Sequence, residues 1–174
     1  ADVGAILRLQ DANYADITAA YDKVMQKSLS GIALNLDDQY TLVNTIERRR
    51  QNTLYVDRNQ EELDDIYTRL DIEQVGNVYF QPLTHNREVI AVLMIAFPYT
   101  KRELRADEVE LLKGFGIVSS SLLSLSYEAV NAARLAEDRL IQEMVEGLPD
   151  VPTRTVATAD DAQDDIQASR DHIQ

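Results

Sequence analysis

Val78-Tyr79-Phe80-Gln81-Pro82-Leu83 and Val89-Ile90-Ala91-Val92-Leu93-Met94-Ile95-Ala96-Phe97 flank a polar stretch, Thr84-His85-Asn86-Arg87-Glu88. Two β-rich runs joined by a polar turn predict a hairpin. The second run is apolar throughout, so both of its faces need cover. It is expected at the centre of a sheet, with a helix on one side and further structure on the other. Pro82 has no amide hydrogen to donate, so the end of its strand is expected to be unpaired on one side.

Upstream, residues 3–9 and 17–24 are apolar runs separated by the turn formers Asp11, Asn13 and Asp16, which predicts a second hairpin. Ser30-Gly31 breaks the chain, and Asp37-Asp38 is suited to cap a helix at about 39–50 with Leu42, Val43 and Ile46 on its apolar face. Arg48-Arg49-Arg50 places cations at that helix's negative end, and anion binding is the other role open to them. Thr53-Leu54-Tyr55-Val56 reads as a short strand. Leu63, Ile66, Tyr67 and Leu70 then fall at helical spacing. The carboxylates of that segment, Glu61, Glu62, Asp64 and Asp65, lack the glycine and alternating oxygens of a calcium loop and read as a solvated face.

After Pro98, no proline interrupts the chain until Pro149. Asp107-Glu108 suits a helix start, and Val109, Leu112, Phe115, Val118, Leu122 and Leu125 keep helical spacing. Ala129, Ala133, Ala136, Leu140 and Met144 carry it on, predicting a helix of about 40 residues, or about 60 Å. Such length points to a coiled coil or a connector. Leu122, Leu125, Ala129, Ala132 and Ala136 alternate three and four apart, the spacing of a dimer seam. A parallel homodimer through 118–146 would cover that stripe; folding back onto the domain is the alternative. Gly114, Gly116 and Ser119-Ser120-Ser121 suit close packing of this helix. Residues 149–174 hold six Asp and two Arg with four large apolar side chains, an acidic linker or tail rather than a core. Strands paired as hairpins and helices on both faces make an α+β domain around a twisted antiparallel sheet with a long C-terminal helix.

Composition narrows the function. The chain has 174 residues, 17 Lys plus Arg against 30 Asp plus Glu, and a net charge of −13. An acidic surface gains nothing from counterion release on nucleic acid and is repelled by anionic membranes, so neither is an expected partner. The absence of cysteine excludes disulfides, thiolate metal sites and cysteine nucleophiles. No continuous apolar run approaches the 18 or so residues of a transmembrane helix. The start at Ala1, with no signal-peptide pattern, reads as a piece cut from a longer protein, with cytoplasmic placement expected. His85 and His172 have no sequence partners for a zinc pair or a triad, and His85 is expected as a surface turn residue. With no nucleophile elbow and no glycine-rich phosphate loop, the expectation is a non-catalytic domain without a metal site.

The hairpin at 76–97, followed by Lys101-Arg102-Glu103-Leu104-Arg105-Ala106-Asp107-Glu108-Val109, resembles the closing strands and final helix of GAF domains. The hairpin at 3–24 is similar to their first two strands, so the resemblance covers about residues 1–128. It implies a GAF-like sensor domain with helices on both sheet faces, lacking the first helix, and a ligand pocket between sheet and middle helices. It leaves 129–148 as a helical extension and 149–174 as linker. Cyclic-nucleotide-binding members carry an Asn-Lys pair, then Phe, three residues and Asp-Glu. Here Asp107-Glu108 is present, but Glu103 stands at the Phe position and no Asn-Lys precedes it, which argues against a cyclic nucleotide. Without cysteine there is no covalently attached bilin and no methionine sulfoxide reductase chemistry. Ala91 replaces the usual glycine.

The resemblance implies a pocket near Tyr40, Tyr55, Tyr67 and Tyr79. Tyrosine suits a mixed apolar and polar lining, although packing with hydroxyls at the surface accounts for the same residues. Two functions are therefore expected. The first is a regulatory module that binds a small molecule and relays through the C-terminal helix to an output domain. The second is a ligand-free dimerisation or spacer module of a signalling protein.

Overall fold

The computed structural model describes residues 1–146; the acidic segment 149–174 lies outside the described residues. A compact unit spans Ala1–Ala132. Its sheet has seven antiparallel strands: β1 (Val3–Leu9), β2 (Tyr14–Asp22), β3 (Lys27–Leu29), β4 (Ile32–Asn35), β5 (Asn52–Leu54), β6 (Val78–His85) and β7 (Glu88–Ala96). The order is β3-β2-β1-β7-β6-β5, with β4 also paired to β2. Three helices complete the described chain: α1 (Tyr40–Arg48), α2 (Gln60–Arg69) and α3 (Ala106–Glu146).

The apolar run at 89–97 becomes the central strand, held between β1 and β6. Alternation divides its cover. Val92, Met94 and Ala96 join Val78 and Phe80 of β6 in the larger core, which is closed by Leu42 of α1 and by Leu63, Ile66 and Tyr67 of α2. Leu93 and Ile95 face the other way with Tyr79 and Phe97, beneath Leu112 of α3. Helices therefore cover both faces, α1 and α2 on one and α3 on the other. β5 stops pairing at Asn52–Phe80, so β6 is open on that side from Gln81 onward, and Pro82 sits where no donor is required.

Several local expectations change. The turn expected over Thr84–Glu88 contracts to Asn86-Arg87, with φ of 48° and 68°. Two successive positive φ values match the right-handed twist of the flanking strands, so the strands run on to His85 and from Glu88. β3 and β4 were not expected; they add to β2 beyond the hairpin. Asp37-Asp38 does not cap α1. Both belong to a short 3₁₀ turn, Leu36–Asp38, where the Asn35 side chain accepts from the Asp37 amide at 3.2 Å. The residue before α1 is Gln39, whose side chain makes no capping bond.

The cap comes from α2. Glu62 accepts from the Thr41 amide at 2.6 Å, the Thr41 hydroxyl at 2.8 Å and the Asn59 side chain at 3.1 Å. Asp65 accepts from Gln39 at 3.0 Å and Arg69 at 2.7 Å. The solvated face expected for the four carboxylates is therefore only half right. Glu61 and Asp64 are exposed, while Glu62 and Asp65 tie α2 to the start of α1.

α3 is a 41-residue helix. Within Ala106–Gln142 it has an 18-residue window of mean hydropathy 1.2, long and apolar enough to cross a membrane by length and composition. Scattered charges conceal this when only unbroken runs are counted. Leu112, Gly116, Ser120 and Ser124 of the same helix are buried. Gly116 is needed there, since a Cβ would stand 2.8 Å from the Gln81 Cγ, whereas Gly114 has open space around its Cβ position.

Candidate functional site

The layer between the sheet and α1 and α2, where the GAF resemblance implies a pocket, is filled by the protein itself. Leu42, Leu54, Leu63, Ile66, Tyr67, Leu70 and Phe80 are each at most 1% exposed there. The four tyrosines are not brought together. Tyr67 lies in this layer, its hydroxyl donating to the Gly76 carbonyl at 2.9 Å, and burial pushes its pKa well above the usual phenol range. Tyr79 lies on the opposite sheet face, edge-on to Phe97 at 5.9 Å, and its hydroxyl accepts from the Leu104 amide at 2.9 Å. Burial raises its pKa too. Tyr40 is 72% exposed on α1, and Tyr55 lies at the surface with the Arg58 guanidinium 5.8 Å from its ring centre.

Two clefts lie on the α3 side of the sheet. The larger, about 300 Å³, is apolar and walled by Ile95, Phe97, Leu104, Leu111, Leu112 and Phe115. At its rim Arg102 Nη1 donates to both carboxylate oxygens of Glu108 at 2.9 Å, and the guanidinium lies 4.6 Å from the Phe97 ring centre. The backbone amide of Arg105, with Arg102, holds Glu108 below the usual carboxylate range. Asp107-Glu108, the part of the cyclic-nucleotide pattern that this chain retains, is thus occupied in starting a helix.

The smaller cleft, about 210 Å³, is polar and opens beside the unpaired edge of β6. Gln81 and Pro82 of β6, Arg49 after α1, and Gly116, Ile117 and Ser120 of α3 line it. Each is positioned by a local rule. β5 pairing ends at Asn52, so the residues just before it pass the open edge of β6, and Arg49 turns in the left-handed conformation at φ 52°. A bulge at Leu83/Thr84 frees the Thr84 amide to donate to Ser120 Oγ at 2.9 Å, while Ser120 donates to the Gly116 carbonyl at 2.7 Å. Gln81 is 9% exposed; its Nε2 donates to the Pro82 carbonyl at 3.1 Å, and its Oε1 is buried without a partner. His85 also borders this cleft, at the end of β6 rather than in the turn, with Nε2 3.8 Å from Glu128 Oε1.

No family model matches the chain, and no curated protein matches it. Solved structures do. It is similar to a GAF domain/HD domain protein from Geobacter sulfurreducens, at 12% identity and TM-score 0.49 over 71% of this chain and 80% of that one. It is similar to the A. aeolicus nlh2 GAF domain in an inactive state, at 17% identity and TM-score 0.47 over 74% of each chain. A far-red cyanobacteriochrome photoreceptor is similar at 13% identity and TM-score 0.48, over 71% of this chain and 76% of that one. Two of these three are GAF domain structures.

Gln81 was not among the sequence-derived candidates, and Arg49 was one only through the anion-binding role open to its triplet. Both carried a signal: one belongs to an arginine triplet, and the other is the polar residue inside the run Val78–Leu83. Among the described residues, no group of histidine and acidic side chains is arranged to hold a metal ion.

The expected seam is exposed. Leu122 is 63% and Leu125 64% accessible, and Ala129, Ala132 and Ala136 are exposed. The line continues toward the start of α3 through Leu111, Phe115 and Val118, also exposed, and the steps remain four and three. At about 100° per residue Val118 and Leu122 lie opposite Gly116 and Ser120, which face the sheet, whereas Leu111 and Phe115 lie beside Leu112 and wall the apolar cleft.

Proposed function

We propose that this chain is a GAF-like regulatory module that binds a small molecule and passes its state to an output domain through a parallel homodimer of α3. One observation carries the reading: α3 buries one line of residues on the sheet and presents a three-four apolar stripe, Val118 to Ala132, away from it. A helix serving only to cover the sheet has no use for a second apolar line. A coiled coil has, because alternating three and four residue steps keep the stripe facing a partner. Parallel pairing brings the two C-terminal helix ends together, as a downstream output requires. The stripe thins to alanine from Ala129 onward, permitting close approach with less buried area. Pairing therefore draws most of its affinity from Val118, Leu122 and Leu125.

Sedimentation of the full chain tests this reading. A dimer that Leu122→Glu with Leu125→Glu converts to a folded monomer supports it; a wild-type monomer at tens of micromolar overturns it. Native mass spectrometry of freshly purified protein tests the sensor half, which expects a small molecule carried through purification.

A further inference from the structure

We infer that the polar cleft between the β6 edge and α3 is a binding site for a small carboxylate bearing a hydroxyl or amino group on the carbon beside the acid. The inference deepens the sensor reading and rests on it for its consequence in signalling, though not for binding itself. The cleft holds about 210 Å³, which suits a compact molecule rather than a nucleotide or a tetrapyrrole. Gln81 supplies the sharpest demand. Its Nε2 is committed to the Pro82 carbonyl, which fixes the orientation of the amide and leaves Oε1 as a buried acceptor with nothing to accept from. A buried orphan carbonyl costs free energy, so the missing partner must be a donor, here a hydroxyl or an ammonium.

Arg49 makes the second demand. It borders the same cleft, is held in a left-handed conformation that a side chain rarely adopts, and has no ion pair among the described residues. Its planar guanidinium matches a carboxylate with two parallel bonds. In a chain of net charge −13 an unpaired arginine facing a polar cleft favours an anion, and the flanking Arg48 and Arg50 add to the local positive potential. Ser120 is saturated, so the discriminating groups are Arg49 for the acid and Gln81 for the donor beside it. The floor under the ligand is the helix itself at Gly116 and Ser120, so occupancy bears directly on α3.

Isotope-labelled full chain titrated with L-lactate, L-alanine and propionate tests the site by nuclear magnetic resonance. Lactate, alanine or both should shift the Gln81 side-chain amide and the Gly116 and Thr84 backbone amides saturably. Whichever binds should do so about tenfold more tightly than propionate, the value of one bond to a buried acceptor. Gln81→Leu should abolish that discrimination while leaving propionate binding in place. Arg49→Gln should weaken all three, with Arg49→Lys recovering part of the loss. Each variant is first matched to the parent in thermal midpoint. The proposal is overturned by no saturable shift with any probe, by shifts centred elsewhere, or by propionate binding as tightly as both of the others, which would mean that water satisfies Gln81. A small molecule that co-purifies equally with parent and Arg49→Gln chains would overturn this site and leave the sensor reading standing.

Discussion

Glu62→Ala should destabilise the domain by about 2 kcal/mol, although sequence pattern alone treats this residue as a surface acid. Gln39 offers α1 no side-chain cap, so the Thr41 amide depends on the Glu62 carboxylate of a different helix. Loss of an ordinary N-cap costs about 0.5–2 kcal/mol, and a bond to a charged acceptor about 1.5–3 kcal/mol. Glu62 holds three such bonds, to the Thr41 amide, the Thr41 hydroxyl and Asn59. They share one carboxylate at a half-buried site into which water can move, so the total falls far below three times the single value. For a domain of this size about 2 kcal/mol corresponds to a drop of about 5–8 °C in thermal midpoint. The neighbours on α2 supply an internal control: Glu61→Ala and Asp64→Ala, both exposed, should stay within about 0.5 kcal/mol of the parent. Urea unfolding of the three variants reads all of this, and a cycle combining Glu62→Ala with Thr41→Val should show coupling of about 1 kcal/mol. If Glu62→Ala behaves like its two neighbours, the capping argument is wrong.

Further outcomes follow from single contacts. Gly76→Ala should cost about 3 kcal/mol or more in urea unfolding, because the new Cβ would stand 2.0 Å from the Phe97 carbonyl oxygen and the bond from Tyr67 to the Gly76 carbonyl would be strained. Gly114→Ala should stabilise by about 1 kcal/mol through helix propensity alone, whereas Gly116→Ala should destabilise by about 1–2 kcal/mol by displacing Gln81; comparable thermal shifts for the two would refute the helix–strand contact. Burial and the bond it donates to Asp22 push the Tyr99 hydroxyl up to about 12 from 10.0, so the stability it contributes is complete below pH 10 and lost as pH rises toward 12. Urea midpoints across that window should fall less steeply for Tyr99→Phe than for the parent.

What could be read from sequence was what periodicity encodes. Val89–Phe97 was legible as a central strand because an apolar residue at every position admits no other placement in a soluble sheet, and α3 because its spacing persists without a proline. Lys27–Leu29 was not, because three residues cannot display alternation and pairing with β2 alone decides their state. The roles of Glu62 and Asp65 depend on a helix 20 residues earlier in the chain, beyond any local pattern. The tyrosines show a different limit. Tyr79 alternates with Val78 and Phe80, which places it on the opposite sheet face from Tyr67 and rules out a shared pocket once the register is known. Gln81 has the same parity as Tyr79, so the polar residue in the decisive strand necessarily turns toward α3. Arg49 reaches the cleft only through where β5 stops, which no composition rule foretells.

The geometry of α3 is what would connect the two proposals. Leu112, Gly116, Ser120 and Ser124 repeat every four residues, so the buried line drifts by about 40° at each step, following the twist of the sheet beneath it. Val118, Leu122 and Leu125 alternate three and four and drift only about 20° per seven residues in the other sense, a mismatch that pairing with a second helix absorbs by left-handed supercoiling. The two lines come opposite each other near Ser120, and the cleft lies beside Gly116 and Ser120, on the sheet line. Thr84 donates to Ser120 Oγ there, beside a bulge in the β6–β7 pairing. On those proposals, a ligand drawing Gln81 and Arg49 together would act on that edge and would rotate or shift α3. Rotation of α3 on the sheet necessarily turns the opposite stripe by the same angle. No wire of side chains across the domain is then required, because the thickness of one helix separates the ligand from the dimer seam.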